Sequence, residues 1–176
     1  NQMATQDDEM HIKAYHEAGH IIVASYYGRK ILRACIYDGD KKQSSVECEL
    51  TLALSKFKPP KNNLTRLWPL LVEDACIDAR IALAGPISQA IYEGKSLQEI
   101  GGASDFDVVV QVLRKLEEVR TSNPELQDVD ISYKTNILAR LVEAAANIVF
   151  QNNRWIIVSK LAEALISHGE LLETDI

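Results

Sequence analysis

Residues 16 to 20 read His16-Glu17-Ala18-Gly19-His20, and this spacing makes sense only on one kind of secondary structure. Four residues correspond to about 400° of α-helical rotation, so both imidazoles leave the same face one turn apart. The surrounding residues agree. A helix is expected over residues 8–27, with Asp7, Asp8 and Glu9 near its positive end and Gly28 placed to stop it. Ile12, His16, Gly19, His20 and Val23 recur at three- and four-residue steps and define an inward face. Gly19 inside that helix costs about 0.5–1 kcal/mol relative to alanine, which calls for a close-packing reason.

The rest of the chain must be built around this helix. Residues 30–37 are rich in β-formers. In 46–52, Val46, Cys48, Leu50 and Leu52 alternate with Glu47, Glu49 and Thr51. Asp38-Gly39-Asp40 supplies a turn, so a short antiparallel hairpin is expected, followed by an exposed loop over 55–63. Everything beyond reads as helix. Thr65 is placed to cap a helix reaching residue 84, Gly85-Pro86 interrupts it, and a second segment runs to residue 92. Further helices are expected near 104–120, 130–151 and 154–167, the last with Trp155, Val158, Leu161, Ala162 and Leu165 on one face. The fold class is therefore mainly α, with a small hairpin near the N-terminal part. At 176 residues it is read as a single domain, frayed over residues 1–7.

Composition narrows the function. A formal net charge of -6 and the absence of a Lys/Arg run argue against a nucleic-acid surface. No apolar stretch reaches the ~20 residues a membrane span needs, and no signal peptide is visible. Three cysteines, Cys35, Cys48 and Cys76, form no CxxC pair, so a reducing, cytoplasmic compartment is the simpler expectation. Gly94-Lys95-Ser96 is no phosphate loop: the pattern needs glycine where Gln89 stands, and it follows a helix.

What remains is metal chemistry. Zinc–nitrogen distances of about 2.0–2.1 Å suit one Zn2+ ion shared by His16 and His20. Glu17, about 100° around the helix from His16, falls beside the ion, where it could take a proton from metal-bound water and pass it to a leaving amine. Two core histidines with Glu17 paired to Lys13 would give the same letters. Unpaired imidazoles on the face of Ile12 and Val23 would be costly, however.

A catalytic zinc needs a third protein ligand and one open position. The extended pattern with a later third histidine is absent, since position 23 is Val and position 26 is Tyr. His11 faces about 140° away from His16, and His168 suits a helix end. The carboxylates are Glu73, Asp74 and Asp78 on one helix and Asp105 and Asp107 on another. Asp105 shares a stripe with Val109, Val112 and Leu116 and is preferred as the buried one. Asp107 lies with Gln111, Arg114 and Glu118 and could complete a capping box with Ser104. Asp107 and Glu73 stay open as alternatives.

Ala14-Tyr15-His16-Glu17-Ala18-Gly19-His20 resembles the active-site helix of the FtsH-type zinc peptidases, the protease half of membrane-bound ATP-dependent proteases. Leu83-Ala84-Gly85-Pro86 through Gly94, then Gly102-Ala103-Ser104-Asp105-Phe106, then residues 155–176 are similar to later family segments, in family order. The resemblance is weak between residues 27 and 64. It implies a helical zincin domain in which Asp105 is the third zinc ligand, although the family usually has one more residue between Ser and Asp. The family's Glu-Glu pair is replaced by Gln89-Ala90. No ATPase half lies within these residues. The function implied is a zinc-dependent endopeptidase acting on unfolded or flexible protein segments, with a homo-oligomer or a separate ATPase partner left open. The alternative is a non-catalytic module of the same fold that binds protein around a structural or vestigial metal.

Overall fold

The computed structural model describes residues 6–36, 44–48 and 63–176. Among them the chain is mainly helical, with a small antiparallel sheet. Helix α1 spans Gln6–Tyr26, with Asp7, Asp8 and Glu9 in its first turn. It ends where Gly28 adopts φ +69, as the Arg29 amide closes back on the Ala24 carbonyl. The expected single inward face is only part of the picture. From Glu17 to Ala24 every residue of α1 is buried, so its second half is a central helix covered on all sides.

Strand β1, Ile31–Cys35, pairs antiparallel with β2, Ser45–Cys48, in the register Ala34↔Val46. The hairpin expected from sequence is thus present. Its turn at Asp38-Gly39-Asp40, residues 49–52 of the second run, most of the 55–63 loop and residues 1–5 lie outside the described residues. Helix α2, Leu64–Glu93, follows and is long enough to touch most of the molecule. The short helix α3, Leu97–Ile100, carries a capping box between Ser96 and Glu99. Helices α4, Ala103–Ser122, α5, Ile137–Phe150, and α6, Arg154–His168, complete the helical set. A third strand, β3, Glu170–Leu172, pairs antiparallel with β1, giving the order β2-β1-β3.

Helix α1 packs on α2, α5, α6 and both strands of the hairpin, and α2 in turn holds α4 and α5. One apolar cluster joins Ile21, Val23, Val158, Leu165 and Leu171; a second joins Leu83, Ile87, Val109 and Leu141. No helix among the described residues is long and apolar enough to cross a membrane. Cys35, Cys48 and Cys76 form no disulfide.

Several expectations need correction. Gly85-Pro86 does not interrupt the helix; α2 runs through both, and through Pro69. Proline gives up one helical rung, but this pair sits where neighbours come closest. A Cβ on Gly85 would fall 2.3 Å from His20 Nε2, and the Pro86 ring packs against Gly102. Thr65 is not a cap: Asn63 precedes the helix and the Thr65 hydroxyl donates to the Glu125 carbonyl at 3.4 Å. The helix expected from residue 130 starts at Ile137, because the Asp130 carboxylate accepts the Ser132 amide and hydroxyl and closes a local turn instead. Residues 170–172, beyond the last helix expected from sequence, form β3, into which Gly169 turns the chain at φ +73.

Gly19 receives its close-packing reason. A Cβ there would lie 2.3 Å from the Ala84 carbonyl oxygen and 2.5 Å from Ser88 Cβ, and Ser88 donates to the Tyr15 carbonyl at 2.6 Å. Gly19→Ala should therefore destabilise the protein by about 1–3 kcal/mol through overpacking. The ~1 kcal/mol of helix propensity that alanine gains would not compensate. Chemical denaturation reads the outcome, and a raised midpoint would contradict the crossing described.

Candidate metal centre

The site forms where α1 crosses α2 and the first turn of α4 reaches over both. His16 and His20 stand one turn apart on α1, ring centroids 4.9 Å apart and planes inclined by 72°. Gly85 of α2 lies directly against both rings, and its missing side chain is what lets them sit there. Gly102, in the left-handed region at φ +86, starts α4 beside Pro86. Asp105, in that first turn, faces back to the histidines. His16 Nε2 is 3.1 Å from Asp105 Oδ2, and His20 Nε2 is 3.6 Å from Asp105 Oδ1.

The hydrogen-bond partners determine which ring atoms are free. His20 Nδ1 lies 2.7 Å from the Ile81 carbonyl oxygen, which can only accept, so this nitrogen carries the proton. His16 Nδ1 lies 3.1 Å from Gln89 Oε1 and donates to it. Both neutral rings therefore turn an Nε2 lone pair toward the Asp105 carboxylate. One ligand atom from each of His16, His20 and Asp105 lies within 4.8 Å of the others. Three electron-rich atoms at this distance, largely out of water, repel one another unless a cation or a proton lies between them. Two imidazoles and a carboxylate, each imidazole donating its other N–H to an oxygen, are the donor set of a site that can hold a divalent metal.

Without a cation the site favours a proton on His16. Burial alone would lower the His16 pKa. The hydrogen bond with Asp105, the charges of Glu17 and Asp105 and the Gln89 contact outweigh it and hold the value above that of an ordinary imidazole. Glu17 is 3 % exposed and borders the same cleft, a hollow of about 420 Å³. Val46 and Cys48 of β2, together with Ile81, Ala82 and Val108, also line it.

Of the other carboxylates, Glu73 is 57 % exposed and paired with Arg80 at 2.8 Å, and Asp74 binds Arg29 at 3.0 Å. Asp107 is exposed, and the capping box with Ser104 does not form because Gly102 occupies the cap position. Asp78 lines the cleft without joining the triad. His11 bonds to the Asp7 carbonyl at 2.8 Å and His168 to the Ala164 carbonyl at 2.9 Å, each within its own helix. Sequence reasoning did not find the orienting partners. The Ile81 carbonyl has no side-chain signature, and Gln89 stood out only as a departure from a pair of glutamates.

If the triad holds a divalent metal, Asp105→Asn should weaken its binding by more than about 100-fold, beyond the 10–100-fold typical of outer-shell changes. Asp107→Asn should leave it unchanged. Calorimetric titration separates the two. Because protons compete for His16, metal affinity should also fall as pH drops, beginning above 6.5, the ordinary value from which its pKa is raised. Without metal the sign reverses. The folded chain holds the His16 proton more tightly than the unfolded chain, so this stabilisation is complete below 6.5 and is lost as pH rises through the folded-state pKa. Thermal unfolding of chelator-treated protein across pH measures it, with Asp105→Asn flattening the trend.

No protein-family model matches the chain, and no curated protein matches it.

Proposed function

We propose that this chain is a zinc-dependent endopeptidase domain of FtsH-like type, with His16, His20 and Asp105 as metal ligands and Glu17 as the catalytic base. The observation that carries the reading is the convergence of the His16, His20 and Asp105 ligand atoms within 4.8 Å, with Glu17 beside them in an open cleft. Three protein ligands and one open side correspond to a catalytic zinc site; a structural site closes with four. Zinc bound there supplies Lewis-acid polarisation of a peptide carbonyl and acidification of a water molecule.

The chain's own residues do the remainder. Glu17 follows His16 on α1, so its carboxylate reaches the cleft at an angle that leaves it outside the ligand set. It accepts the proton of the attacking water and returns it to the departing amine nitrogen, which leaves as a neutral amine. Ile81 and Gln89 occupy the two Nδ1 atoms, so that Nε2 of each ring would hold the metal. The partial burial of His16 and Asp105 and the burial of His20 strengthen these electrostatic contacts relative to water.

Strand β2 supports a substrate-binding role. It stands at the edge of the sheet among the described residues, and Ser45, Val46 and Cys48 border the same cleft as the triad. An extended peptide laid in this cleft would pass beside the triad. Such a path needs an unfolded or flexible segment.

Zinc content and cleavage of an unfolded protein, measured for wild type and Glu17→Gln, test the proposal. The variant should keep its zinc and lose about 10²–10⁴ in kcat. Bound zinc without wild-type cleavage would favour the protein-binding module, and absence of metal from both proteins would sink the site.

A further inference from the structure

The two histidines are oriented by different devices, and the difference has a consequence. His20 is held by a backbone carbonyl, which cannot change its role. His16 is held by a side-chain amide, which can present either an acceptor or a donor. An amide turned by 180° would aim its NH2 group at His16 Nδ1, forcing the ring proton onto Nε2 and closing the very atom that faces Asp105.

What prevents that turn lies one helical turn further along α2. Gln89 Nε2 is 2.6 Å from Glu93 Oε1, and a carboxylate can only accept, so the amide nitrogen is committed to Glu93 and the oxygen to His16. Lys95, just past the end of the helix at Gly94, pairs with the other carboxylate oxygen of Glu93. Burial would raise the Glu93 pKa, but the hydrogen bonds from Lys95 and Gln89 outweigh it and hold the carboxyl below its ordinary range. It therefore stays an acceptor. The Glu93 side chain is only 10 % exposed, so water is a poor substitute for it.

We infer that Glu93, held by Lys95, is a positioning residue that fixes the orientation of the Gln89 amide and through it the tautomer of His16. This rests on the metal-site reading above and adds a residue about two helical turns from Gly85 to the determinants of that site. A neutral amide is sufficient at position 89 only because residue 93 dictates which end of it faces the ring.

The test uses the whole chain and two readouts. In metal-free protein, at a pH where the ring is neutral, long-range 1H–15N correlation reports the His16 tautomer; zinc titration reports affinity. Wild type should show a larger Nδ1-protonated share than Glu93→Leu, with the Asp105 carboxylate 3.1 Å from Nε2 competing for the proton. Glu93→Leu should move a measurable fraction of it to Nε2 and weaken zinc binding by about 10-fold, at the lower end of outer-shell effects. The decisive protein is Gln89→Glu combined with Glu93→Leu. A carboxylate at 89 can only accept, so tautomer and affinity should return to wild-type values. Damage to the helix end alone would not be rescued by a change at 89. An unchanged tautomer in Glu93→Leu, or no recovery in the double variant, overturns the inference. Loss of zinc binding in wild type would overturn the metal reading, while the tautomer measurement would still decide the role of Glu93.

Discussion

The close crossing of α1 and α2 governs the rest of the structure. Two glycines make it possible, one on each helix. Gly19 lets α1 settle on the Ala84 carbonyl and Ser88, and Gly85 lets α2 settle on the rings of His16 and His20. Neither contact tolerates a Cβ, and the Ser88 hydroxyl ties the helices together at the Tyr15 carbonyl. The crossing brings Ile81 and Gln89, four residues before and after Gly85, within reach of the two histidines. One packing event thus sets both the core and the orientation of the rings.

Helix α4 completes the arrangement by a similar economy of space. Gly102 packs on the Pro86 ring in a left-handed conformation, and three residues later Asp105 meets His16 and His20. The Val109, Val112 and Leu116 stripe anchors the helix, so the carboxylate is pointed inward by the same periodicity that buries those residues. The result is a concentration of negative and lone-pair density in a partly buried pocket, which costs stability unless a cation or proton offsets it. Proteins keep such arrangements where function demands them.

Much of this was legible in the chain. The His16, Glu17 and His20 spacing implied a helix and a shared face, the stripe argument separated Asp105 from Asp107, and Gly19 signalled a tight contact. The alternating pattern of Val46 and Cys48 implied the hairpin. These are local periodicities, which depend only on the geometry of a single element. The misreadings were of another kind. Gly85-Pro86 looks like a break because local rules favour one, and β3 is too short to leave a pattern. Asp130 captures the Ser132 amide and delays α5, a competition that helix propensity alone does not reveal.

The sequence by itself determined the secondary structure of α1, the pairing of two imidazoles on one face and the inward stripe of α4, because each follows from the fixed turn of a helix. Only the tertiary structure decided that Gly85 would lie under those rings, that Ile81 and Gln89 would hold their Nδ1 protons, and that Asp105 would come within 3.1 Å of His16. These contacts join residues some 60 to 90 positions apart. No local rule encodes them; they exist because three helices can pack this closely only where glycine leaves room.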